Sequence, residues 1–161
     1  MMLSDKLDIV LITYNRKTHL QNTFEQIFAQ NSPIKDFPIT ILDNCSTDGT
    51  TELIEEYSQK HKNINHIRHE KNIGGNANIT RAFELPKKEY FWIICDDDAY
   101  DWSSWNEVEK AINEGKDAVI VTRDLLKKRE NLGLITRQLT FLPAGIVYTK
   151  AFSSTASTNS V

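Results

Sequence analysis

Short apolar runs alternate with helical stripes of apolar residues along most of the chain. Five runs are typical of buried strands: Leu7 to Thr13, Ile39 to Leu42, Ile64 to Arg68, Tyr90 to Cys95 and Ala118 to Val121. Between them apolar residues recur every three or four positions, as at Leu20, Phe24 and Ile27, which is the spacing of a helix with one buried face. Strands that alternate with helices predict right-handed crossovers. The pattern therefore predicts an α/β fold, a three-layer sandwich with a mostly parallel central sheet.

The ends of one helix can be predicted from local signals. Ser104 and Glu107 have the spacing of a capping box, and they predict a helix that starts there and carries Val108 and Ile112 on its buried side. Gly115 is expected just beyond the end of this helix, where a left-handed backbone conformation favours glycine.

The pattern weakens after residue 121. Residues 123–130 are highly charged and predict either a solvated helix or a loop, whereas residues 141–152 predict one more strand or a hairpin. Residues 153–161 are polar and rich in Ser and Thr, as is typical of a frayed tail. We therefore expect one domain over residues 1–152, followed by a polar tail at residues 153–161.

Composition narrows the class of protein. A length of 161 residues with 40% hydrophobic residues suits one globular domain, and a net charge of −3 gives no footprint for nucleic acid. No apolar run approaches the ~20 residues that span a bilayer, and the polar start is unlike a signal peptide. We expect a cytoplasmic protein without a transmembrane segment, with peripheral association at the inner face of the membrane left open. Cys45 and Cys95 are expected to be free thiols.

Polar clusters follow three of the predicted strands. These clusters contain Thr13, Tyr14 and Asn15; Asp43 and Asn44; and Asp96, Asp97 and Asp98. In parallel sheets, ligands bind at the carboxyl ends of the strands, where the strand order reverses. The three clusters are therefore expected to meet at one edge of the sheet and form a site.

The three consecutive aspartates need a positive partner if a buried strand holds them together. Clustered, desolvated carboxylates cost several kcal/mol when unpaired, on the order given for buried ions. Mg²⁺ or Mn²⁺ carrying a phosphate is the natural partner, because these ions take one or two protein carboxylates. The alternative is a solvated acidic loop. An EF-hand is excluded, because Asp101 stands where that loop requires glycine and a strand precedes it.

Three further positions have two interpretations each. Asp43 can accept a hydrogen bond from a ribose hydroxyl or the imide N–H of uracil, or it can form an Asx turn and cap the next helix. The segment Asn72-Ile73-Gly74-Gly75 can belong to a site or be a simple turn. Arg81 can reach a diphosphate, or it can be an ordinary surface arginine.

Taken together, these segments resemble the successive signatures of family 2 glycosyltransferases. The resemblance covers residues 7 to about 101 and rests on four segments, which are Leu7 to Arg16, Asp43 to Thr50, Asn72 to Gly75, and Asp96 to Asp98. It implies a GT-A fold, a nucleotide-sugar donor that is usually a UDP sugar, and Mg²⁺ or Mn²⁺ held by the DxD motif. It also implies an inverting transfer to a glycan or a lipid-linked acceptor.

The resemblance also implies roles for individual residues. Thr13 and Tyr14 would border the base, Asp43 would contact uracil or ribose, and Asn15 would be a further residue of the nucleotide-sugar site. Asp96 would approach the ribose or the sugar, with Asp97 beside it. The metal would be held by Asp98 and Asp96. Arg81 would be a further contact with the donor.

One expected feature is missing. Family 2 enzymes have a catalytic base well beyond the DxD motif. In this chain Asp124 and Glu130 are the only carboxylates after the fifth predicted strand, and neither has a suitable context for a base. The chain is therefore expected to be the donor-binding part of a longer enzyme, or a binding domain without transferase activity. A sugar nucleotidyltransferase is the third alternative; it would need a glycine-rich loop after the first strand, and residues 14–18 contain no glycine.

Overall fold

The computed structural model describes residues 2–116 and the backbone of residues 118–120 and 146–149. Its helices are α1 (Leu3–Lys6), α2 (Lys17–Ile27), α3 (Thr50–Lys60), α4 (Gly75–Glu84) and α5 (Trp105–Asn113), with a 3₁₀ turn at Trp102–Ser104. Its strands are β1 (Leu7–Thr13), β2 (Ile39–Asp43), β3 (Ile64–Arg68), β4 (Tyr90–Cys95), β5 (Ala118–Ile120) and β6 (Ile146–Thr149). The five predicted strands are present, and β6 lies within the segment predicted as a further strand. The charged segment at 123–130 and the tail at 153–161 lie outside the described residues.

The six strands form one sheet in the order β3-β2-β1-β4-β6-β5. Strands β3, β2, β1 and β4 are parallel, whereas β6 runs antiparallel to both β4 and β5. Thr13 pairs with Asp43, and Ile12 pairs with Cys95. Because β1 lies between β2 and β4, its end is adjacent to the residues that follow both neighbours. This arrangement confirms the predicted α/β fold with a mostly parallel sheet.

Strand β1 is buried on both faces, which explains its continuous apolar sequence. Leu7, Ile9 and Leu11 pack in a core formed with α2, α3 and α5, while Val10 faces a smaller cluster that includes Ala82 of α4. Each fully buried side chain of this size contributes about 1.5–3 kcal/mol to folding. Helices on both faces therefore fix β1 at the centre of the domain. Among the described residues, no helix is long and apolar enough to cross a membrane.

The predicted capping box at the start of α5 is wrong. Ser104 precedes the helix, but its side chain makes no capping hydrogen bond. Asp101 accepts a hydrogen bond from the backbone N–H of Ser103 at 2.9 Å, so the chain already turns in the 3₁₀ segment before α5 begins. The predicted end is confirmed: Gly115 has φ +71° and its N–H donates to the carbonyl of Ile112.

Candidate functional site

The ends of β1, β2 and β4 meet through direct hydrogen bonds. The hydroxyl of Thr13 donates to Asp96 Oδ2 at 2.6 Å, and the backbone N–H of Asn44 donates to the carbonyl of Thr13 at 3.0 Å. The side chain of Asp96 is only 7% exposed. The predicted convergence of the polar clusters is therefore present in the fold.

The loop after β1 is bound tightly to the loop after β2. The N–H of Asn15 donates to Ser46 Oγ at 2.9 Å, and Asn15 Oδ1 accepts from the N–H of Thr47 at 2.7 Å. Asn15 has φ +50°, a conformation that asparagine tolerates better than most residues. Asn15 is thus a link between two loops, and the neighbouring Tyr14 is left 41% exposed at the edge of the site.

Asp43 is fully buried and its carboxylate is bonded within the protein. Oδ1 accepts from the N–H of Ser46 at 2.9 Å and Oδ2 accepts from the hydroxyl of Thr51 at 2.8 Å. Burial alone would raise the pKa of Asp43, but His66 at 3.9 Å and the hydrogen bonds from Ser46 and Thr51 outweigh it and hold the pKa at about 2. These contacts match the Asx-turn interpretation, while the contact with uracil or ribose stays a prediction.

Asn44 belongs to a predicted polar cluster, but its contacts with the segment that starts at Asn72 were not predicted. Its side chain is buried, donates to Asn72 Oδ1 at 2.9 Å and accepts from the N–H of Ile73 at 2.9 Å. Asn72 Oδ1 also accepts from the N–H of Gly74, whose φ of +87° requires a residue without Cβ. These hydrogen bonds therefore hold the Asn72 to Gly75 segment in place beside the end of β2. The available signal was an asparagine directly after a predicted strand-end aspartate.

The three consecutive aspartates have three different environments. Asp96 is buried against Thr13, Asp97 is about half exposed, and Asp98 is half-buried with Oδ2 accepting from the N–H of Cys95 at 3.4 Å. Arg16 was not among the predicted site residues, yet its Nη1 lies 2.7 Å from Asp97 Oδ2 and its Nε 3.9 Å from Asp96 Oδ1. The acidic cluster thus already has one cation beside it.

The negative charge of the three aspartates is only partly offset by neighbouring groups. Burial raises the pKa of Asp96, with the Thr13 hydroxyl and Arg16 opposing the effect. Burial also raises the pKa of Asp98, opposed by the N–H of Cys95 and increased by the charge of Asp97. Burial and the three aspartates raise the pKa of the Cys95 thiol to about 11. A cation bound here would lower the pKa values of these groups again.

The available ligands fit a hard divalent ion that also binds phosphate. Among residues of the described part, no three His, Cys, Asp or Glu side chains are arranged to hold a metal ion. One or two aspartate carboxylates are what Mg²⁺ takes from a protein when phosphate oxygens and water complete its shell. The aspartate oxygens are thus of the kind that Mg²⁺ and Mn²⁺ bind, and a metal ion at these residues stays a prediction.

Arg81 lies on the surface of α4. Its Nη1 is 2.6 Å from Glu84 Oε2, and both side chains are more than half exposed. This pair matches the surface interpretation of Arg81, and its contact with a donor stays a prediction.

Several sequence relatives are described as glycosyltransferases. A family model described as "Glycosyl transferase family 2" matches residues 8–151. Abequosyltransferase RfbV of Salmonella typhimurium is 36% identical over 88 residues, which cover 54% of this chain and 26% of that protein. An uncharacterized glycosyltransferase of Methanocaldococcus jannaschii is 35% identical over 94 residues, covering 57% of this chain and 32% of that protein. The chain spans about a quarter to a third of the length of these relatives.

Solved structures show the same fold. Residues 1–349 of Staphylococcus aureus TarS, in complex with UDP-GlcNAc, superpose with a TM-score of 0.69 at 22% identity, covering 91% of this chain and 46% of that one. The mannosyltransferase PcManGT of Pyrobaculum calidifontis, in complex with GDP-Man and Mn²⁺, gives a TM-score of 0.65 at 15% identity, covering 91% and 45%. These likenesses confirm the predicted GT-A fold. Because the family model covers most of its residues, the chain belongs to glycosyl transferase family 2.

Proposed function

We propose that this chain binds a UDP sugar, with Mg²⁺ or Mn²⁺, for transfer of the sugar to a glycan or a lipid-linked acceptor. Membership of the family gives sugar transfer as the general function. The observation that carries the finer proposal is the meeting of Thr13, Asn44 and Asp96 at the carboxyl edge of the sheet. Nucleotides bind at this edge in open α/β sheets.

The nucleoside is assigned to the side of the site formed by the loops after β1 and β2. The exposed ring of Tyr14 offers a flat apolar surface beside these loops. Asp43 lies deeper, where Ser46 and Thr51 donate hydrogen bonds to its carboxylate and Arg68 Nε lies 3.6 Å from Oδ2. A uracil N–H or a ribose hydroxyl bound to Asp43 would share the carboxylate with these partners.

The diphosphate is assigned to the loop from Asp96 to Tyr100, which we call the acidic loop. When bound there, Mg²⁺ or Mn²⁺ supplies positive charge that offsets the charge of a departing nucleoside diphosphate. Asp96 is held by Thr13, whereas the hydrogen bond from Cys95 to Asp98 is long at 3.4 Å, so little is lost when Asp98 turns toward a cation. The complexes of TarS with UDP-GlcNAc and of PcManGT with GDP-Man and Mn²⁺ support a site of this kind.

An inverting reaction also requires a base near the acceptor hydroxyl. The carboxylates of Asp43, Asp96, Asp97 and Asp98 at this edge are assigned to the donor, and Asp124 and Glu130 lie outside the described residues. A domain that binds a nucleotide sugar without transferring it is therefore the second candidate function.

Calorimetric titration with UDP tests the metal role of Asp98. We expect Mn²⁺ to tighten UDP binding in the unaltered chain, and Asp98→Asn to remove about tenfold or more of that gain because a charged ligand is lost. Asp36→Asn is the matched control, since it removes the same charge from an exposed loop position. Equal UDP affinity with Mn²⁺ and with EDTA in all three proteins would contradict the metal role.

A further inference from the structure

Helix α2 contacts the acidic loop through a buried hydroxyl. Thr23 is 1% exposed, and its Oγ1 donates to the backbone carbonyl of Asp96 at 2.9 Å. Threonine hydroxyls within helices usually donate to the carbonyl four residues earlier in the same helix. Here the hydroxyl instead reaches the first residue of the acidic loop, where it satisfies a carbonyl that would otherwise be buried beside a carboxylate.

A second side chain of the same helix contacts the far end of the loop. Gln26 Oε1 accepts from the backbone N–H of Tyr100 at 2.9 Å. Gln26 Nε2 donates to the carbonyl of Asn22 at 3.1 Å, which fixes the orientation of the amide. The loop from Asp96 to Tyr100 is therefore attached to α2 at both ends through its backbone, and its carboxylates take no part in these attachments.

The first turn of α2 is attached to the other side of the site. The N–H of Arg16 donates to Thr50 Oγ1 at 3.2 Å, and the N–H of Lys17 donates to Asp48 Oδ2 at 3.1 Å. Asp48 also accepts from the N–H of Thr50 at the start of α3. One 11-residue helix thus joins the loop assigned to the nucleoside to the loop assigned to the diphosphate.

We propose that Thr23 and Gln26 are positioning residues that hold the acidic loop ready for the metal and diphosphate, and that α2 thereby couples the two halves of the donor site. The inference rests on the proposed function. Its physical basis is that adjacent carboxylates repel one another, so the loop needs anchors other than the side chains that bind the ligand. Thr23 and Gln26 bind the backbone of the loop, so they use none of its carboxylate oxygens.

Four variants of the full 161-residue chain separate positioning from mere packing. Thr23→Val keeps the shape of the side chain and removes the hydroxyl, whereas Thr23→Ser keeps the hydroxyl and loses a methyl group. Gln26→Met removes the acceptor for Tyr100, and Gln21→Met makes the same change at an exposed position of α2. The readout is the ratio of the UDP dissociation constant in EDTA to that in Mn²⁺, measured by calorimetry beside uridine binding and the melting temperature.

We expect Thr23→Val and Gln26→Met each to lower this ratio about three- to tenfold, the effect of one hydrogen bond, while uridine affinity is unchanged. Thr23→Ser should restore the ratio even if it lowers the melting temperature, and Gln21→Met should leave it unchanged. A ratio that follows the melting temperature, or that Thr23→Val does not alter, overturns the inference alone. If the unaltered chain shows no effect of Mn²⁺ on UDP affinity, the metal-assisted function fails and the inference fails with it.

Discussion

At the residue scale, identical side chains differ because of what surrounds them. Asp43 and Asp96 are both buried at strand ends, but the pKa of Asp43 is lowered and that of Asp96 is raised. His66 and hydrogen bonds from Ser46 and Thr51 outweigh the desolvation of Asp43, whereas Asp96 has Asp97 beside it, and Thr13, Arg16 and His19 do not outweigh its desolvation. A carboxylate that is already satisfied stabilises the fold, and one that is poorly compensated favours a cation.

Asp43 is expected to make folding depend on pH. Its pKa in the folded chain is about 2, below the ordinary value of about 3.9, so its stabilisation is present above about pH 4 and is lost as the pH falls toward 2. Asp43→Asn should therefore lower the free energy of unfolding by about 2 kcal/mol at pH 7, with the difference shrinking below pH 4.

Urea denaturation of both proteins between pH 2.5 and 7 measures this difference, over a range chosen to cross the titration of Asp43. Asp36→Asn is the control, because Asp36 is exposed. A difference that stays constant across the range would mean that the carboxylate charge of Asp43 does not stabilise the fold.

At the element scale, the helices and strands could be predicted but their contacts could not. The strands follow from apolar runs, and their polar ends follow from the parallel order, so Thr13, Asp43 and Asp96 were predicted at one edge. Arg16 and Thr23 were missed because their partners, Asp97 and Asp96, lie 81 and 73 positions away along the chain, and no local pattern reports such contacts. The capping box failed for a different and local reason: Asp101 accepts from the N–H of Ser103, so the chain already turns before Ser104.

Arg16 joins the loop after β1 to the loop after β4 and is expected to compete with a metal ion. Its guanidinium contacts Asp97 and lies near Asp96, so Arg16→Gln should strengthen binding of Mn²⁺ without nucleotide, by about two- to fivefold for a half-exposed pair. Free Mn²⁺ followed by electron paramagnetic resonance measures this affinity. Arg81→Gln removes the same charge from a surface pair on α4 and should have no such effect. Weaker Mn²⁺ binding in Arg16→Gln would show that Arg16 supports the ion.

At the scale of the whole molecule, the fold places a central buried strand so that its end contributes to both sides of one site. Strand β1 pairs with β2 and β4, and its last residue, Thr13, contacts Asn44 on one side and Asp96 on the other. Apolar packing on both faces of the sheet stabilises this arrangement. The fold therefore tolerates uncompensated charge at the polar edge. Asp124 and Glu130 lie outside the described part of the chain. The sequence predicted that neither residue has the context of a catalytic base.

Paramagnetic broadening by Mn²⁺ tests the central claim, that the acidic loop binds a metal together with a nucleoside diphosphate. Substoichiometric Mn²⁺ is added to the isotopically labelled 161-residue chain with and without UDP, and backbone amide signals are recorded. With UDP present, we predict strong broadening around Asp96 to Asp98 and Thr13 to Arg16, and little at the opposite end of the sheet near Asp8 and Lys88. Broadening that is centred elsewhere, or that is unchanged when UDP is omitted, would contradict the claim.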